Sequence, residues 1–228
     1  MSEQRDEFRY ERKFLVEQLD VRQIEALIKL HPALFYEPYP PRYVNNLYLD
    51  TPDLSNYYDN IGGVEQRRKV RVRWYGDLFA RVARPALEFK IKSGLVGSKR
   101  IYPFAPFILD DAFDHHYYHD LVRRTELAGQ LRPYMQQLSV VLCNRYYRRY
   151  FATRDHRFRL TVDVGMSFFR VTKSRNRFRP RYVDRKTVIV ELKYRQPLEM
   201  IADRVSGFFP FTVAKNSKYV TGIDRVCL

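Results

Sequence analysis

The sequence predicts an α+β protein of antiparallel strands and a few helices, in which the strands close into a barrel with a charged lumen. Two observations carry this. First, Arg67, Lys69, Arg71 and Arg73 alternate with Val70, Val72 and Trp74, so one strand sends a row of cations to one face and bulky apolar groups to the other. Such a row repels itself unless something anionic lies along it. Second, other segments repeat the pattern with one carboxylate among the cations: Glu11 with Lys13, Glu88 with Lys90, Asp163 with Arg159, Glu191 with Lys193. An ordinary antiparallel sheet with one solvated face also alternates, but it mixes Thr, Ser and Gln into the outer positions. Here Arg, Lys and Glu dominate, which favours charged faces that converge on a lumen. Unpaired buried charges are costly, so such a lumen must hold ions and water.

Composition bounds the reading. The 228 residues are 45% hydrophobic and 15% aromatic, enough for a sizeable core; the length allows one large domain or two small ones, and one domain over residues 1–228 is what the ordered motifs given below imply. The net charge of +15 implies an anionic partner: nucleic acid, an anionic membrane, or a phosphorylated small molecule or polymer. The basic residues are spread through strand-like segments and not gathered in a tail, which favours a built site. Cys143 and Cys227 make no metal motif and no disulfide framework, consistent with a reducing compartment. The start, Met1-Ser2-Glu3-Gln4-Arg5-Asp6, has no apolar run, and no stretch approaches the roughly 20 apolar residues that span a bilayer. A cytoplasmic protein without a transmembrane segment is expected.

The elements follow in order. Phe8 to Val16 reads as a strand. Asp20 caps a helix, with Gln23 in the capping-box position and His31-Pro32 as the stop. Val44 to Asp50 is a strand. Thr51 as cap and Pro52 at the first helical position begin a short helix that ends at Gly62-Gly63. The basic strand then runs to a turn near Gly76-Asp77, and Ala86 to Lys92 is the next strand. Glycines between Ser93 and Ser98 mark a loop. Asp110 to Leu138 is mainly helical, broken near Gly129 and Pro133. It holds His115, His116 and His119. A pair four residues apart can bind a metal, but no Glu or Cys stands in the matching register, and a surface helix is the expectation. Val140 to Thr153, Arg157 to Met166 and Thr187 to Arg195 read as strands. Lys173 to Lys186 reads as a strand pair or a loop. A short helix near Leu198 to Val205 stops at Gly207.

A lumen of many cations with a few carboxylates suits an oligophosphate with a divalent cation. Guanidinium forks match phosphate oxygens, lysines add point charges, and carboxylates hold Mg²⁺ or Mn²⁺. Phosphoryl transfer needs mainly positioning and electrostatics. No GxxxxGK[ST] loop, kinase motif set or GxSxG elbow is present. The many aromatics also permit a binder of RNA or polyphosphate, although cations placed within strands make nucleic acid the weaker reading.

Several segments, taken in order, resemble a known family. They are Glu11-Arg12-Lys13-Phe14, Asn45-Asn46-Leu47-Tyr48-Leu49-Asp50-Thr51-Pro52, Val70-Arg71-Val72-Arg73-Trp74-Tyr75, Leu87-Glu88-Phe89-Lys90, Asn144-Arg145-Tyr146, Glu191-Leu192-Lys193 and Lys215-Asn216-Ser217-Lys218-Tyr219. Together they are similar to the polyphosphate polymerase domain of the vacuolar transporter chaperone (VTC) complex. That domain is one of the triphosphate tunnel metalloenzymes, with the adenylate cyclase-like CYTH proteins. The resemblance implies a closed tunnel of eight antiparallel strands with helices packed outside. It also implies a metal-dependent reaction that adds the terminal phosphate of ATP to polyphosphate. The phosphate-binding residues it implies are Lys13, Arg71, Arg73, Lys90, Arg145, Arg159 and Lys193, with Lys215, Ser217 and Lys218 near the tunnel end. Lys99 is a further tunnel lysine in this reading. Glu191 is the principal metal ligand and Glu11 the second; Arg71, Arg73, Lys90 and Glu191 form the catalytic set. Relatives that hydrolyse triphosphate leave a triphosphatase as the alternative activity. Glu88 stands between two readings, a lysine partner or a metal ligand. The run from Lys215 to Lys218 is open to an ordinary exposed turn. Arg12, Arg68 and Arg148 are expected on the opposite faces, at the surface or against helices. Arg67 and Lys69 are expected toward the mouth.

Overall fold

The computed structural model describes residues 9–93, 96–174 and 176–228. Arg9–Val16 forms β1, and Phe8, where the expected strand begins, lies outside the described residues. Helix α1 (Val21–Lys29) begins with the capping box: Asp20 accepts from the Arg22 and Gln23 N–H groups, and the Gln23 side chain accepts from the Asp20 N–H. β2 (Arg42–Asp50) leads into α2 (Ser55–Ile61), which starts later than the Thr51-Pro52 signal suggests. The reason is Asp50. Its carboxylate accepts from the Asn56 and Tyr57 N–H groups, at 2.9 Å each, so the last residue of the strand caps the helix across a turn.

β3 (Gln66–Tyr75) ends at Gly76, whose φ of 91° suits a residue without a Cβ. Next come β4 (Arg81–Val82), β5 (Ala86–Ser93), β6 (Val96–Pro103) and β7 (Phe107–Ile108). The expected loop after Ser93 is short, since β6 starts at Val96, and Gly94 lies outside the described residues. α3 (His115–Arg124) and α4 (Leu131–Gln137) are separated around Gly129. Pro133 falls within the first turn of α4, where the missing N–H has no intrahelical partner to lose. The chain continues through β8 (Ser139–Ala152), β9 (Arg159–Arg170), the short β10 (Tyr182–Asp184), β11 (Val188–Arg195), α5 (Glu199–Gly207) and α6 (Lys218–Val226).

The main sheet is antiparallel, with hydrogen bonding in the order β1-β11-β9-β8-β2-β3-β5-β6; β10 pairs β9, and β4 pairs β7 separately. The order is an open path. Among the described residues β1 and β6 do not pair, so the expectation of a closed barrel is corrected to an open sheet with helices. At β1 the outward edge is already taken: Phe14 bridges Val213, and the Ala214 N–H donates to the Lys13 carbonyl at 2.8 Å. A loop blunts this edge where another strand would be needed to close the sheet.

The chain forms two compact units, each drawn from separated segments. The first contains the described residues up to Arg42, with Tyr146–Met166 and Asp184–Asn216. The second contains Tyr43–Arg145, Ser167–Val183 and Ser217–Leu228. In the first unit Phe14, Leu160, Val162, Val190 and Leu192 lie on one strand face and pack with Ile24 and Ile28 of α1 and Ala202 and Val205 of α5. In the second, Val70, Val72, Leu87 and Phe89 pack with Tyr118 and Leu121 of α3 and Met135 of α4. The alternation therefore does what period two requires: apolar residues face helices, charged residues the other way. No helix among the described residues is long and apolar enough to cross a membrane.

Helix α6 sits so closely in the second unit that a Cβ on Gly222 would overlap Leu142 and Phe168. Gly222→Ala should lower stability by about 1–3 kcal/mol despite the better helix propensity of alanine. A thermal melt checks this, and an unchanged or raised melting temperature would contradict the packing.

Candidate functional site

In the second unit the charged face is organised around Glu88. Register places Arg71 opposite Glu88, Lys69 opposite Lys90, and Lys90 opposite Lys99. Glu88 is buried. Its Oε2 lies 2.6 Å from Arg71 Nη2, and its Oε1 lies 2.7 Å from Lys99 Nζ and 3.7 Å from Arg73 Nη1. Arg73 is also held from the side: its Nε donates to Asn46 Oδ1 at 2.9 Å, and Asn46 Nδ2 donates to Asn144 Oδ1 at 2.8 Å. Asn144 Nδ2 is buried without a hydrogen-bond partner among the described residues.

Burial alone would push the Glu88 carboxyl up, but Arg71, Arg73 and Lys99 hold it well below the usual carboxylate range. Desolvation of the ammonium beside Glu88 pushes Lys99 down to about 8 although 42% of its side chain stays exposed; Glu88 opposes this, and Arg71 and Arg73 add to it. The cluster holds three cations against one carboxylate and so carries positive charge to spare.

Three expected site residues, Arg71, Arg73 and Lys90, share this face with Lys99, and the partners of Glu88 here are cations. Ser217 caps α6, accepting from the Val220 N–H at 3.3 Å, and its hydroxyl also accepts from Lys69 Nζ at 2.8 Å. Lys218 is buried, so Ser217 and Lys218 begin a helix and not an exposed turn.

In the first unit the charged face carries Glu11, Lys13, Glu191, Lys193 and Arg159. Lys13 stands opposite Glu191, Glu11 opposite Lys193, and Lys193 opposite Arg159. Lys13 Nζ is 3.6 Å from Glu11 and 3.7 Å from Glu191, and it donates to the Asn216 carbonyl at 3.0 Å. Glu191 lies 3.2 Å from Lys193 and 3.7 Å from Arg148. Arg159 and Lys215 are exposed.

Arg148 corrects an expectation. It is buried, and it grips both oxygens of the fully buried Asp163 at 2.6 and 2.7 Å. Arg145 is one residue out of step with Asn144. Its guanidinium lies 3.7 Å above the Tyr43 ring, away from the face that Asn144 shares with Asn46. Arg12 reaches α5, at 2.6 Å from Glu199 and 2.7 Å from Asp203, and Arg68 lies over Tyr134 of α4, so both pair with helices.

Sequence reasoning missed Asn46, Asn144 and Arg148. The available signal was parity: Asn46 is in phase with Asp50, and Asn144 in phase with Arg148. On α3, His115 and His119 bring their Nε2 atoms within 3.0 Å, and burial lowers both pKa values. No group of three or more His, Cys, Asp or Glu side chains that could hold a metal occurs among the described residues.

Known structures share this arrangement of strands. A candidate adenylate cyclase from Bacillus halodurans aligns with a TM-score of 0.56 at 13% identity, over 97% of this chain and 98% of that one. A second, from Vibrio parahaemolyticus, aligns with a TM-score of 0.53 at 12% identity, over 94% and 97%. A candidate adenylyl cyclase from Hippeastrum, described as having a dominant triphosphatase activity, aligns with a TM-score of 0.52 at 13% identity, over 96% and 95%. At such identities the likeness concerns the fold alone. No curated protein matches the chain. The model of the VTC domain matches residues 8–227, and the chain belongs to the VTC domain family. This is the family that the ordered motifs resemble.

The depressed Glu88 pKa has a direction in stability. The contribution of this group is fully present above its unfolded value of about 4.5 and is lost as pH falls below that. Glu88→Gln should melt lower than wild type at pH 7 and lose less on acidification below about pH 4.5. Parallel melting curves for the two proteins against pH would refute the role of Glu88 as the hub.

Proposed function

We propose that the chain is a metal-dependent polyphosphate polymerase that transfers the γ-phosphate of ATP to a growing polyphosphate chain. The observation that carries this reading is the group of Arg71, Arg73 and Lys99 around one buried carboxylate in a VTC domain. Fixed guanidiniums match phosphate oxygens and are already oriented when substrate arrives. In this reading Arg71, Arg73 and Lys90 hold and polarise the reacting phosphates, and Glu88 keeps the cations in place. Lys13, Arg159 and Lys193 of the first unit bind phosphate, as do Lys215, Ser217 and Lys218. Arg145, stacked on Tyr43, is left out of the set.

In this reading a divalent cation, Mn²⁺ or Mg²⁺, would sit with the carboxylates of the first unit. Glu11 and Glu191 flank Lys13 on one face, and Asp163 is committed to Arg148. Hard cations of this kind take one or two carboxylates and complete their shell with substrate phosphates and water. Glu191, with Glu11, would hold the ion, which when bound supplies neutralisation of charge on the phosphates.

The alternative is a triphosphatase of the same fold, favoured by the activity described for the Hippeastrum protein. Water in the attacking position, in place of a phosphate chain, would turn one reaction into the other. A non-catalytic polyphosphate- or nucleotide-binding module is the third reading.

Incubation with ATP and Mn²⁺ separates these readings. A polymer together with ADP supports the polymerase, orthophosphate alone supports the triphosphatase, and binding without turnover leaves the binder. Glu191→Gln should abolish turnover and retain tripolyphosphate binding at low salt; full activity in this variant would remove the metal assignment. Tripolyphosphate affinity should also weaken as pH rises through about 8, where Lys99 loses its proton. Lys99→Arg should flatten that decline. A wild-type affinity that stays constant across this range would exclude Lys99 as a phosphate ligand.

A further inference from the structure

The helix-covered face of the second unit contains a cavity of about 360 Å³ that the phosphate chemistry does not use. Its floor is Phe89 and Ile91 of β5. Register places Arg68 of β3 opposite Ile91 and Arg100 of β6 opposite Phe89, so two guanidiniums stand diagonally across an apolar floor. Helix α4 supplies the wall with Leu131 and Tyr134. The ring of Tyr102 meets Phe89 edge-on at 5.8 Å, and that of Tyr134 lies 6.3 Å from Phe89. Arg68 is 5.5 Å from the Tyr134 ring centroid. The amides of Gln130 and Gln137 complete the rim. Arg68 and Arg100 are exposed, and neither is paired with a carboxylate among the described residues.

We infer that this cavity binds a planar aromatic ring carrying phosphate, a nucleoside monophosphate, as a site separate from the charged face. The size is at the lower end of the roughly 300–1,000 Å³ range of small-molecule sites, which suits one nucleotide. The partly buried rings of Tyr102 and Tyr134 and the plane of Arg100 offer stacking to a base, with Phe89 buried beneath them. Glutamine amides carry both a donor and an acceptor, as base edges do. Guanidiniums without a carboxylate partner bind phosphate oxygens directly. A fatty acid would use the floor and the cations but not the amides.

Occupation has a built-in consequence. Phe89 lies between Glu88 and Lys90 on β5, and Arg68 lies between Arg67 and Lys69 on β3. A base held over Ile91 and Tyr102 therefore restrains the same backbone that carries Glu88 and Lys90 on the reverse face. Modulation of turnover by AMP rests on the polymerase reading; the binding itself does not.

The test is calorimetric titration of AMP into the full chain with tripolyphosphate in excess, so that the charged face is saturated. AMP should still bind. Arg100→Ala and Tyr134→Ala should each weaken it about tenfold, the scale of one lost charged or stacking contact. Arg71→Ala should leave AMP binding intact. Arg100 is exposed, so its variant reports binding without loss of core packing. No AMP binding, displacement of AMP by tripolyphosphate or decanoate, or loss of AMP binding in Arg71→Ala would each overturn the proposal. If the chain turns over no ATP yet binds AMP with this pattern, the polymerase reading fails and the cavity assignment stands.

Discussion

A buried charge must find its opposite, and the two charged faces of this protein are arranged by that requirement. The strands alternate, so each one that sends valines and leucines under a helix sends arginine, lysine or glutamate to the reverse side. In the second unit Glu88 meets the demand by receiving Arg71, Arg73 and Lys99. In the first, Asp163 receives both ends of the Arg148 fork. These carboxylates leave the cations outnumbering them while fixing where the cations stand. Preorganised positive charge is what a phosphorylated substrate requires, because the protein then has little reorganisation left to perform during the reaction.

The alternation itself was legible. Arg71 and Arg73 read as partners on one face, and the ladder puts them there; the Asp20 capping box was equally plain. What the sequence did not disclose was the cross-strand partner. Nothing near Glu88 in the chain says that Lys99, on the next strand, will take its second oxygen, since that depends on the length of the connection between β5 and β6. Arg148 misled for a related reason. Its neighbours Arg145 and Arg149 are also basic, and only the phase set by Asn144 against Asn46 decides which arginine points inward. The late start of α2 has the same origin. Thr51-Pro52 is a sound local signal, and Thr51 Oγ1 accepts from the Ser55 N–H, but Asp50 takes the next two N–H groups from farther back. Closure of the sheet was out of reach because edge pairing is settled by a loop, Val213-Ala214, that carries no strand signal.

The basic residues also divide by chemistry. Guanidiniums in general hold their charge permanently, whereas desolvation brings the Lys99 pKa down to about 8. The same cluster thus joins permanent and titratable cations. Arginines give fixed geometry, and the lysine gives a charge that is lost as pH rises through about 8.

The two units are each assembled from three separated stretches, and this has a consequence for biosynthesis. The first unit needs Asp184–Asn216, and the second needs Ser217–Leu228, before either is complete. Tyr219 of the last helix hydrogen-bonds Asp50, the residue that ends β2 and starts α2. During vectorial synthesis β2 and β3 therefore leave the ribosome long before the helix that secures them. Their edges and apolar faces remain uncovered until residues 184–228 have been made, so neither unit can close on itself before that stretch is available.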